Sequence, residues 1–168
     1  MVDANAGHVA LVRVPIDVTE LLKRVSDQGV GAITLFLGTV RNLNDGRAVN
    51  GIDYEAYEAM AISELQLIAH EIAVSAPEVR LAIEHRLGTL TLGEISVAIA
   101  AGHARRAVAL DASRYAIEAI KQRVPIWKRE HYASGDSSWI DPTQSALKST
   151  PALDGLVPNN DDSMVSIG

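Results

Sequence analysis

The sequence contains no cysteine. Disulfides, thiolate nucleophiles and cysteine-based zinc sites are thereby excluded, which fits a cytoplasmic protein. No apolar run approaches the roughly 20 residues that a membrane helix needs. No basic segment followed by an apolar core opens the chain, so no signal peptide is expected. The five histidines, His8, His70, His85, His103 and His131, show no close pairing of the H-E-x-x-H kind. No metal site and no resident cofactor are expected. Internal repeats are absent. A positive net charge is lacking too: the chain carries −6, which argues against a nucleic-acid binder.

What is present suits one ordinary domain. The chain has 168 residues, 48% hydrophobic and 21% charged, enough to bury a real core. Its charge is unevenly spread. Residues 102–131 hold seven lysines and arginines against three acidic residues, a local charge of +4, while the rest carries −10. A basic island in an acidic chain suggests a site for an anionic ligand or an acidic partner. It reads equally as the basic face of an amphipathic helix.

Residues 1–7 read as a flexible N-terminus. Residues 141–168 hold three of the six prolines with many Asp, Asn and Ser, and read as a mostly disordered tail. Between them lies one folded domain, residues 8–140. A short strand over 8–14 precedes a helix capped by Asp17. Residues 32–40 form a nearly continuous apolar run, the mark of a buried strand. The polar loop Arg41-Asn42-Leu43-Asn44-Asp45-Gly46 follows, then an alternating strand over 51–57, and the two strands are placed to pair as a hairpin. Ala61, Leu65, Ile68 and Ile72 make one helical stripe, ended by Pro77. Strands over 79–85 and 94–101 flank a turn. A helix over about 104–123 follows, with Leu110, Ile117 and Val124 on its buried side. A strand after Pro125 and a short Trp139-Ile140 segment complete the order. The prediction is an α+β domain of mixed, largely antiparallel sheets with about three helices.

The chemistry concentrates around Val124-Pro125-Ile126-Trp127-Lys128-Arg129-Glu130, with Lys121 just upstream. Two lysines flank a proline that must break the helix carrying the first. Apolar surroundings and a second ammonium both disfavour a protonated lysine. An amine so tuned acts as nucleophile or general base. The same run also reads as a solvated face, since an ordinary lysine titrates at about 10.4. Arg106, Leu110, Arg114, Ile117 and Lys121 share one helical stripe. Arg106 and Lys121 are nevertheless about 22 Å apart along the axis, too far for one small ligand to touch both in one subunit. Arginines at a helix start invite a bound phosphate. Arg41 closes a strand and opens a loop, where sites often lie. His103 is placed either to cap the following helix or to bind an anion. His85-Arg86 reads as a structural pair with local hydrogen bonds.

Phe36-Leu37-Gly38-Thr39-Val40-Arg41, Tyr54-Glu55-Ala56-Tyr57 with Met60-Ala61, His85-Arg86-Leu87-Gly88, Gly93-Glu94, and Lys121 with the 124–130 segment stand in a specific order and spacing. Together, over about residues 30–140, they resemble the large, catalytic subunit of molybdopterin synthase. The resemblance implies a hammerhead-like fold. It implies sulfur transfer from a small ubiquitin-like carrier, thiocarboxylated at its C-terminal Gly-Gly, to cyclic pyranopterin monophosphate, yielding the dithiolene of molybdopterin. It further implies a homodimer of large subunits with a carrier at each end. Lys121 and Lys128 would be the catalytic lysines, and Arg41 and Arg106 would hold the pterin phosphate. One departure stands out. Where the family has His-Arg at the start of the long helix, this chain has Arg105-Arg106. Arg105 and His103 are thus the two candidates for the missing histidine's role. The sequence finishes Ser166-Ile167-Gly168 rather than Gly-Gly, so the sulfur donor is expected in trans. The rival readings are a non-enzymatic module binding a phosphorylated small molecule and a dimeric scaffold.

Overall fold

The computed structural model describes residues 7–140. The expected flexible segment 1–7, except Gly7, and the expected disordered tail 141–168 lie outside the described residues. Three helices and two sheets make the α+β fold expected from the sequence.

The first sheet has the order β1 (His8–Val12), β5 (Arg80–Arg86), β7 (Ile95–His103), β2 (Ala32–Thr39). β1 runs parallel to β5, and the other pairs are antiparallel. Side chains alternate across a strand, and the core follows that rule. Leu81, Ile83, Val97, Ile99 and Ala101 face α2 (Glu58–Ser75) and α3 (Arg106–Arg123). Ala82, Ala98 and Ala100 face α1 (Val18–Val25). Asp17 caps α1, its carboxylate accepting from the Glu20 amide at 3.0 Å. The Ala61, Leu65, Ile68 and Ile72 stripe of α2 is fully buried.

α3 differs from expectation at one position. Ile117 and Val124 are buried, but Leu110 is exposed. The face that packs is rich in alanine (Ala109, Ala112, Ala116, Ala119). Leu110 instead lies between Arg106 and Arg114 on the outer side, at the helical spacing of four.

The second sheet has the order β3 (Leu43–Asn44), β4 (Arg47–Ala56), β8 (Ile126–Tyr132), β9 (Ser137–Ile140), with β6 (Gly88–Thr91) also paired to β4. All its pairs are antiparallel. The expected hairpin between residues 32–40 and 51–57 does not form. β2 pairs instead with β7, and β4 with β3, β6 and β8. The 41–46 loop is itself a hairpin. Asp45 and Gly46 take φ of 47° and 76°, as a two-residue type I′ connection requires, and the strand they turn back is the start of β4.

β2 is therefore an edge strand and alternates in exposure. Phe36 packs on the main core, whereas Ile33, Leu35 and Leu37 remain 37–41% exposed. The unbroken apolar run in the sequence reflects this outward row, not burial on both faces. No described helix is long and apolar enough to cross a membrane.

Candidate active site

Where the two sheets meet the end of α3 lies a cavity of about 650 Å³. β2 supplies Phe36, Gly38 and Thr39, β4 supplies Tyr54, and β5 supplies His85. Lys121 enters from the last turn of α3 and Lys128 from β8. Between these two, Val124 is extended (φ −78°, ψ 123°), because the residue before a proline is pushed out of the helical region. That turn brings a helix lysine and a strand lysine to one chamber. Arg41 also lines it, from the loop after β2.

The two lysines differ in setting. Lys121 is exposed and has no ion-pair or hydrogen-bond partner among the described residues. Lys128 is half-buried and its Nζ lies 2.8 Å from Glu130 Oε1. The desolvated, unpaired state that the sequence suggested is thus met by neither. Glu130, two residues on in β8, points the same way as Lys128 and is only 1% exposed. Its Oε2 accepts from Asn44 Nδ2 at 3.1 Å, and Asn44 Oδ1 accepts from Arg41 at 2.9 Å. One buried carboxylate thereby connects Lys128 to Arg41 through the β3–β4 hairpin. Burial pushes the Glu130 carboxyl up, but the hydrogen bond and charge of Lys128, helped by Asn44, outweigh it and hold the group below its ordinary range.

Arg105, Arg106 and His103 do not reach this cavity. They sit at the opposite end of α3. His103 is 6% exposed, and its Nδ1 accepts from the Arg105 amide at 2.9 Å. Nδ1 thus serves the helix entry. Arg105 is the N-cap residue and makes no side-chain cap, and the first turn carries no acidic residue. The α3 N-terminus is thus an uncompensated positive end with two arginines that lack partners among the described residues.

Glu130, Asn44, Tyr54 and His85 carry no assigned site role in the sequence reading. For Glu130 a signal was available: an acid two residues from a lysine on a strand shares its face. Asn44 has none, because its reach depends on the Asp45-Gly46 turn.

The profile of the MoaE protein family matches residues 11–123. The chain belongs to the MoaE protein family. This MoaE chain is similar to the molybdopterin synthase catalytic subunit of Halalkalibacterium halodurans, 43% identical over 136 residues, covering 81% of this chain and 86% of the relative. It is 40% identical over 141 residues to the subunit of the same name from Drosophila persimilis, covering 83% of this chain but only 39% of that relative's length. Among solved structures, molybdopterin synthase from Staphylococcus aureus superposes with a TM-score of 0.74 at 36% identity, covering 77% of this chain and 94% of that one.

Proposed function

We propose that this chain is the catalytic subunit of a molybdopterin synthase working in the cytoplasm. It moves sulfur from the thiocarboxylated Gly-Gly end of a small ubiquitin-like carrier to cyclic pyranopterin monophosphate. The observation that carries this reading is the convergence of Lys121, Lys128 and Arg41 on one cavity in a MoaE-family chain. Attack by a thiocarboxylate on the pterin side chain needs cations to hold phosphate, and an amine to move protons and stabilise developing negative charge. Lys121, without a partner among the described residues, suits the proton-moving role, and Lys128 and Arg41, tied through Glu130 and Asn44, suit a fixed electrostatic one. Glycine, without a side chain, suits a carrier tail that threads a narrow channel.

The test is a sulfur-transfer assay with thiocarboxylated carrier and cyclic pyranopterin monophosphate. Deleting the carrier's last two glycines is expected to abolish transfer and lower its affinity only in part, because its globular body still rests on apolar surface. Full turnover without those glycines would refute tail insertion.

The working unit is proposed to be a homodimer. The exposed Ile33, Leu35 and Leu37 row on an edge strand supports it, since such rows are normally covered. So does α3, whose fifteen-residue span from Arg106 to Lys121 is about 22 Å. Arg106, with Arg105 and His103, then completes the phosphate grip of the partner's cavity. Mixing Lys121→Ala with Arg106→Ala subunits should restore part of the activity that each lacks alone. If subunits exchange and activity stays absent, the shared-site arrangement is wrong.

A further inference from the structure

We infer that His85 is a substrate-binding residue whose bare Nε2 accepts a hydrogen bond from an N–H of the pterin ring held between Lys121 and Lys128. This deepens the pterin reading above and rests on it.

His85 is the penultimate residue of β5 and is 7% exposed, yet it lines the cavity. Its Nδ1 lies 3.0 Å from the Arg86 carbonyl oxygen. A carbonyl can only accept, so Nδ1 carries the ring's proton. Burial disfavours a second proton and lowers the pKa to about 4, although the Arg86 bond opposes this. Nε2 is therefore a lone pair at neutral pH. The ring cannot easily turn: Tyr54 meets it edge-on, centroids 5.2 Å apart at 72°. Arg86 is held in turn by Glu94 at 2.8 Å.

The second nitrogen has no hydrogen-bond partner among the described residues. It is not sealed in protein either, because the one described side-chain atom buried without a partner is Arg86 Nε. With Nδ1 tied to the Arg86 carbonyl, Nε2 is the ring nitrogen left for a ligand in the cavity that His85 lines. The cations around that chamber offer only donors, which suits a phosphate but leaves a ring N–H unmatched. Asp45 and Glu118 also line the cavity and could accept that N–H, but a carboxylate beside the lysines offsets their charge. An uncharged imidazole accepts without doing so. A reduced pterin presents ring and exocyclic N–H groups, so it is the kind of ligand this wall complements.

The test uses the assembled enzyme with its carrier, and two amides that divide the ring's two jobs. In His85→Asn the amide reproduces the Nδ1 donor and stops short of Nε2. In His85→Gln the amide oxygen reaches the Nε2 position. His85→Asn is expected to raise the KM and the directly titrated Kd for cyclic pyranopterin monophosphate about tenfold. Saturated kcat, carrier affinity and melting temperature should stay near wild type. His85→Gln should recover most of the affinity. A folded Asn variant with wild-type Kd overturns the inference, as does an equal loss in both variants. If His85→Asn fails to fold, a tenfold loss in His85→Gln overturns it alone. A wild-type enzyme that binds the pterin without transferring sulfur defeats the activity instead, and the Kd comparison still decides His85.

Discussion

Replacing Lys121 by alanine is expected to abolish measurable product formation while leaving the fold and carrier binding nearly intact. A positioned proton-transfer group contributes roughly 10²–10⁴-fold to a rate. Lys121 has no partner among the described residues, so its removal breaks no ion pair, and surface changes of that kind stay within about 0.5 kcal/mol. Inactivity with an unchanged melting curve is the expected signature. Wild-type-like turnover would end the assignment. Lys128→Ala should be milder in rate yet carry a stability cost, because it strands the buried carboxylate of Glu130. The two lysines are thus separable by one melting experiment beside one assay.

Glu130→Ala is expected to produce the largest loss of stability. Removing one partner of a buried ion pair costs about 3–5 kcal/mol, which for a domain of this size lowers Tm by on the order of 10 °C. Lys128 loses its partner, and Asn44 and Arg41 lose the carboxylate on which their chain ends. The pH dependence has a definite sign. Glu130 is held below its ordinary value in the fold. Its contribution is therefore complete above the unfolded carboxylate pKa and is lost as pH falls through the depressed folded one. The Tm gap between wild type and variant should be widest near neutrality and should narrow on acidification. Thermal melts of both proteins from pH 7 downward measure it, and equal melting temperatures at pH 7 would contradict the account.

The parts legible in the sequence were those governed by local pattern. The α2 stripe, the Asp17 cap and the break at Pro125 follow from helical spacing, side-chain capping and proline geometry. What escaped was decided by distant partners. Nothing local distinguishes an apolar strand covered on both faces from an edge strand with one open face, so β2 reads as buried from its sequence. The same blindness paired it with residues 51–57, when its partner is β7, about sixty residues on. Leu110 reads as inward because a stripe has no absolute direction until the sheet beneath it is known. In the site, Lys121, Lys128 and Arg41 line one cavity, whereas Arg106 lies at the far end of α3. Glu130 was visible as a residue but not as the link between Lys128 and Arg41, which needs the Asp45-Gly46 turn to bring Asn44 over it.

α3 works as a ruler. Its packed face is rich in alanine, so it lies close against the sheet and holds its two ends at a fixed spacing. On the shared-site reading, one end serves the chain's own chamber and the other serves a neighbour's. Folding then delivers only half of each site, and assembly delivers the rest. Such an enzyme is switched off by dilution with every helix still intact, losing its hold on phosphate before it loses its chemistry.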